Sequence, residues 1–337
     1  MREYINIKHT IICLGIAATI FIMGIIIVKT DSTDSKENND KYIKETVLLS
    51  ADGKEMLLDE AVFLTKNKQA YYEAYFLSAG QKLNWNATDK DGVVFKDLVL
   101  DESLLFVKEM FLFSEYAKTH GIELTEQDLN TIASSVNEFL SDSSENVIKA
   151  THANSDLLNR IYTRTAYHDK LCEQIYNDTD LNVSDDEARQ CLIAAAEFSP
   201  ENFDSPERTA AKVVERVNSG EVIGEVAKIY DNEVKKGNVG KGTWNENELE
   251  KFCLSLKDGE CKMIEINGSY YVIYCYMEND NDATEAYRTD LITKRKEKAI
   301  SDFMNELTSK TNITVNTEAW STINFDKTII TSEDLKK

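Results

Sequence analysis

Asn267-Gly268 constrains this chain more than any other pair of residues. Both tolerate the left-handed backbone that a tight hairpin turn needs, and they stand between Cys261–Ile266 and Ser269–Tyr276. A three-residue loop, Asn267–Ser269, puts Cys261 directly opposite Cys275, whereas a two-residue loop puts the two on opposite faces. The sequence before this hairpin is helical. In Arg208–Val217 the residues Ala210, Val213, Val214 and Val217 recur at helical spacing, and Gly220 stops the run. A short second helix has Val222, Ile223, Val226, Ala227 and Tyr230 as its apolar side. Lys236–Gly240 follows with two glycines, and Leu249–Leu256 reads as another helix. Helices followed by a hairpin make an α+β fold.

The order of these pieces resembles the parvulin-type peptidyl-prolyl isomerase domain. That family has a helix ending in Gly, a second short helix, a glycine turn, a third helix closed by Gly-Glu, and a final strand. Val226-Ala227 with Tyr230-Asp231, Lys236–Gly240, Leu249 to Gly259-Glu260, and Gly268 with Tyr271–Ile273 are the counterparts here. The flanking helices resemble those of PrsA-like and SurA-like extracytoplasmic foldases, most clearly at Ala117–Glu126. In the family one histidine on the first strand faces another on the last. Here the last-strand position is Tyr271, the first-strand segment Cys191–Phe198 has no histidine, and none follows His168. The resemblance puts Asp231 at the family's acidic position and Leu249 at a pocket aromatic, with Phe252 one helical turn on. It implies binding of exported, unfolded polypeptides at Leu249, Phe252, Tyr271 and Ile273. It also implies nominal isomerase activity, weak or absent because Asp231 and Tyr271 are the only remnants of the catalytic set. The bland reading of Tyr271, Ile273 and Cys275 is the inward face of a strand.

Of 337 residues, 38 are lysine or arginine and 59 are acidic, a net charge of −21. Such a chain lacks the basic surface that phosphate backbones require, so nucleic acid is excluded as a partner. Thr10–Val28 carries no charge over 19 residues, about 28 Å of helix. Arg2 and Lys8 precede it and an acidic run from Asp31 follows, which favours an anchor with the rest of the chain outside. A cleaved signal is the competing reading, but no small-x-small site follows. Five cysteines, Cys172, Cys191, Cys253, Cys261 and Cys275, lie beyond the anchor, an odd number that reads as buried free thiols. His9, His120, His152 and His168 are read as lacking a cysteine or acidic cluster at ligand spacing, so no metal is expected. No small-molecule cofactor is implied.

Taken in order, residues 1–9 are cytoplasmic, 10–28 form the transmembrane anchor and 29–45 a polar tether. Residues 46–188 form a SurA-like or PrsA-like helical chaperone domain. Within it Asp59 opens a helix to about Phe76, and Asp101–Thr119 is apolar almost all round at Leu104–Phe113. His120-Gly121 ends that helix, Thr125–Asp128 is a capping box, Asn154 or Ser155 opens a long helix, and Ser184–Glu187 is a further N-cap. Residues 189–278 are the degenerate parvulin-like domain. The segment 283–325 is a helix and strand packing back on the chaperone domain, and 326–337 is a tail. The expectation is a single-pass membrane protein with an outward-facing foldase. The alternative is a non-catalytic membrane scaffold that uses the parvulin-like domain for docking.

Overall fold

The computed structural model describes residues 36–244, 247–332 and 334. The expected anchor at 10–28, with the residues before it, lies outside them. Among the described residues no helix is long and apolar enough to cross a membrane. In chain order the elements are α1 (Lys36–Glu45), β1 (Val47–Ala51), β2 (Lys54–Leu57), α2 (Leu58–Ser78), α3 (Phe95–Thr119), α4 (Glu126–Asp142), α5 (Glu145–Thr151), α6 (Ser155–Asn177) and α7 (Asp185–Ala188). There follow β3 (Gln190–Phe198), α8 (Pro206–Asn218), α9 (Ile223–Ile229), β4 (Lys235–Gly240), α10 (Asn247–Ser255), β5 (Cys261–Ile266), β6 (Ser269–Met277), α11 (Asn281–Lys310), β7 (Ile313–Val315) and α12 (Thr317–Trp320). The chain is thus a mixture of helix and sheet, divided into two compact units. One holds the residues up to Asp178 and from Ala299 onward; the other is Thr179–Lys298.

In the discontinuous unit, β1 pairs antiparallel with β2 on one side and β7 on the other. Phe111, Phe113 and Val107 of α3 are fully buried with Leu48, Leu49 and Met56, and Ile300, Phe303, Met304 and Leu307 of α11 pack against this cluster. Each such burial contributes about 1.5–3 kcal/mol, which is why the apolar girth of α3 is tolerated. That helix starts at Phe95, six residues before the expected Asp101, because Phe95 stacks on Trp85 at 5.4 Å and Val99 is buried. A second cluster joins Phe63, Ala70 and Ala74 of α2 to Phe139, Leu157, Leu158 and Ile161. The caps read from sequence are in place. Thr125 and Asp128 form a reciprocal capping box, and Asn154 accepts from the Asp156 and Leu157 N–H groups.

Two polar features of this unit were not legible in the sequence. Arg160 and Arg164, one turn apart on α6, meet Asp59 and Glu60 in the first turn of α2. Arg164, Glu60 and Asp59 are all buried. The second feature corrects the reading of His168. Its Nε2 lies 3.0 Å from Glu109, its Nδ1 lies 3.0 Å from Asp169, and Cys172 Sγ is 3.7 Å away. The one-turn spacing of His168 and Cys172 is visible in the sequence; the acid from α3 is not. Burial opposes charge on this ring, yet the hydrogen bonds to Asp169, Cys172 and Glu109 outweigh it and push the pKa up to about 11. While protonated, the ring donates at both nitrogens and has no free lone pair.

Candidate functional site: the half-covered face of the second sheet

The second unit is built on an antiparallel sheet in the order β4-β3-β6-β5. Ile266 faces Ser269 across Asn267-Gly268, whose φ angles are 53° and 83°. The loop therefore has two residues and Cys261 stands opposite Tyr274, not Cys275. Cys261 packs with the cluster under α8 and α9, and Cys275 with the one under α10. All five described cysteines are free and buried. Lys236–Gly240, expected as a turn, is the strand β4. It pairs with Gln190–Ala195 because Gly240 lets the chains approach closely: a Cβ there would lie 1.8 Å from Gln190 Nε2.

Strand alternation separates the two faces. Ala194, Ala196, Phe198, Val272 and Cys261 lie under α8 and α9. Cys191, Ile193, Ile273, Cys275 and Val239 lie under α10, against Leu249, Cys253 and Leu256. The helix α10 is short and covers only one end of its face. Towards the other end Ala195, Ile264, Ile266 and Tyr271 are only partly buried, with Phe252 and Trp244 beside the same cluster. Glu250, 4% exposed, fixes the loop between β4 and α10 by accepting from the Gly242 and Trp244 N–H groups at 2.9 and 3.2 Å. Gly237, opposite Ile193 in β4, leaves space that a Cβ would enter without contact.

At the open end Tyr271 pairs in register with Glu197 of β3, and its hydroxyl donates to Glu197 Oε1 at 3.1 Å. Asn232 Nδ2 donates to the Glu197 carbonyl at 2.7 Å, so the Asp231 turn stands at the same end. Asp231 itself is exposed with φ 53°, a left-handed position in the turn after α9. Of the residues singled out from sequence, Leu249 and Ile273 are sealed into the core at 5% and 0% exposure. Phe252 and Tyr271 keep surface open. Glu197 was missed, and the signal that finds it is the strand register rather than its own neighbourhood in the sequence.

The chemistry of this end follows from counting protons. A tyrosine hydroxyl has one to donate, and here it is committed to a carboxylate that can only accept. A hollow of about 480 Å³ lies elsewhere on the unit, lined by Val214, Asn218, Glu260, Cys261, Lys262 and Met263. It shares Phe252 with the open face but reaches neither Glu197 nor Tyr271.

No family model matches this sequence, and no curated protein matches it. Among solved structures it is similar to the peptidylprolyl isomerase PrsA of Bacillus cereus, at 16% identity and a TM-score of 0.36, covering 70% of this chain and 95% of that one. It is also similar to PrsA of Bacillus anthracis, at 15% identity and a TM-score of 0.30, covering 66% and 99%. A third is a structure from work on SurA-like chaperones of Campylobacter jejuni, at 13% identity and a TM-score of 0.28, covering 80% and 99%.

Proposed function

We propose that this chain is an extracytoplasmic protein-folding factor of PrsA-like and SurA-like type, which holds unfolded exported polypeptides and turns over X-Pro bonds weakly or not at all. The uncharged run Thr10–Val28 would anchor it in the cell membrane with both units outside. The observation that carries the reading is the open sheet face, where Ala195, Ile264 and Ile266 are only partly buried and Tyr271, in register with Glu197 and Ile264, forms one hydroxyl–carboxylate pair. Apolar surface of this kind accepts a proline ring or another apolar side chain of an extended segment. Leu249 and Ile273 are sealed in the core cluster against which Ala195, Ile264, Ile266 and Tyr271 pack. Catalysis is a separate matter. The uncatalysed rotation barrier is about 18–20 kcal/mol, and lowering it requires groups that bind the twisted amide better than the planar one. With the Tyr271 proton given to Glu197, this end offers acceptors to a peptide N–H and little that polarises an amide carbonyl.

The test is a proline-isomerisation assay run beside an aggregation assay with a reduced client. Suppression of aggregation, with isomerisation at the uncatalysed rate, is the expected result. Turnover that disappears in both Tyr271→Phe and Asp231→Ala would reverse the catalytic half of the proposal. Failure to bind any unfolded client, with one stable stoichiometric partner co-purifying, would replace the whole of it with a docking role.

A further inference from the structure

Residues 324–330 form neither helix nor strand, yet Phe325, Ile329 and Ile330 are buried in the discontinuous unit. What holds them is one face of α2. Lys66, Gln69 and Glu73 recur three and four residues apart, and each hydrogen-bonds the backbone of the segment; Lys66 also lies over the Phe325 ring, 5.5 Å from its centroid. Lys66 Nζ donates to the Asn324 carbonyl. Gln69 Nε2 donates to the Lys327 carbonyl at 2.8 Å. Glu73 Oε2 accepts from the Ile329 and Ile330 N–H groups at 2.6 and 2.9 Å.

These three readers are tied to one another. Lys66 donates to Gln69 Oε1 at 3.0 Å, and Gln69 donates to Glu73 Oε1 at 2.8 Å. Trp85 Nε1 donates to the same Glu73 oxygen at 3.1 Å, which locks the carboxylate in place at 5% exposure. The apolar anchors have separate seats. Phe325 lies on Trp85 with ring centroids 4.5 Å apart, and Ile329 and Ile330 enter the cluster that contains Phe63, Ala70 and Ala74.

Backbone hydrogen bonds combined with pockets for a few side chains are how grooves hold extended peptides of varied sequence. We propose that the Lys66–Gln69–Glu73 face of α2, together with Trp85, is a polypeptide-binding groove that the segment 324–330 occupies when no client is present. The ligand class is a non-helical chain, bent so that two successive N–H groups meet one carboxylate oxygen, with an aromatic residue four and five positions before a pair of β-branched residues, as in Phe325, Ile329 and Ile330. This groove goes beyond the sheet face of the other unit and stands or falls independently of it. The readers' hydrogen bonds all go to main-chain groups, and Lys66 adds a contact to the ring of Phe325 at 5.5 Å, so an unfolded client with an aromatic residue at that place can take every hydrogen bond that the resident segment makes.

The experiment uses the whole protein, a variant ending at Ile323, and a fluorescein-labelled peptide of sequence Thr322–Asp334. Fluorescence anisotropy is expected to show the truncated variant binding the peptide at least tenfold more tightly than the full chain. Glu73→Gln in the truncated background should lose at least tenfold, and a reduced, carboxymethylated polypeptide should compete. Equal affinity for full and truncated chains, or a folded truncated variant without affinity, overturns the proposal. If the truncated variant does not fold, native-state hydrogen exchange on the full chain decides. Ile329 and Ile330 amides exchanging faster than those of Leu158 and Ile161 support a displaceable segment. Exchange of all four only through global unfolding overturns it.

Discussion

Replacing Arg164 by methionine isolates the buried ion cluster of the discontinuous unit. The guanidinium satisfies four acceptors: Glu60 Oε2 at 2.5 Å, Glu115 Oε1 at 2.7 Å, Ser114 Oγ at 3.1 Å and the Glu55 carbonyl at 3.1 Å. Methionine fills the stem and supplies no donor. Asp59 and Glu60 would then share one guanidinium, that of Arg160, and Glu115 would be left with Lys118. Removing one partner of a buried pair costs about 3–5 kcal/mol. Two contacts hold the expected loss to the lower end, about 3 kcal/mol: Glu60 keeps Arg160 at 3.0 Å, and Glu115 keeps Lys118 at 3.0 Å. Asp59 and Glu60 also sit in the first turn of α2, where the helix dipole favours negative charge. A loss of this size lowers the midpoint by about 6–12 °C for a unit of 150–250 residues. Urea denaturation followed by circular dichroism measures it. The double variant Glu60→Gln/Arg164→Met should fall short of the summed single losses by about 1 kcal/mol, because the orphaned charge is gone. A loss under about 0.5 kcal/mol for Arg164→Met, the range of an ordinary surface change, would refute the burial of this cluster.

Two further predictions concern titration. His168, pushed up to about 11 against the cost of burial by Asp169, Cys172 and Glu109, lies above the usual histidine value near 6.5. Its contribution to stability is therefore complete below about 6.5 and is lost as the pH rises through 11. Nitrogen NMR should find both ring nitrogens protonated at pH 8, and His168→Gln should flatten the alkaline part of the stability curve; an ordinary titration near 6.5 would contradict this. Burial pushes the Cys253 thiol up to about 12 and those of Cys261 and Cys275 up to about 11. At pH 8 a thiol of pKa 11 is thiolate about one part in a thousand. A disulfide-exchange reagent should label these three slowly in the native protein and rapidly after unfolding, and mild oxidation should not join Cys261 to Cys275. Fast native labelling, or a mapped Cys261–Cys275 bridge, would contradict the two-residue hairpin and the separation of the two faces.

Local signals were read well where one residue settles its own conformation. The capping boxes at Thr125 and Ser184, the Asn154 cap, the left-handed Gly121 and Gly220, and the turn at Asn267-Gly268 each depend on neighbours within a few positions. Signals that depend on partners far along the chain were not legible. Lys235–Gly240 carries two glycines and two lysines, an unpromising strand, and becomes one because it lies along Gln190–Ala195 at the sheet edge. Helix α3 reaches back to Phe95 because Tyr72 and Trp85 offer aromatic surface there. The expected tail from residue 326 is seated by Gln69 and Glu73, more than 250 positions earlier. The same reasoning explains the site. From sequence, Tyr271 stands for a lost imidazole and Cys191–Phe198 offers it no histidine. Register supplies Glu197, which turns the question from whether a tyrosine can replace histidine into where its proton points. Pointing at a carboxylate, it leaves a surface that receives N–H groups. Extended chains have one on almost every residue whether or not a proline is near, which is why we propose the holding of polypeptide over the isomerisation of one bond within it.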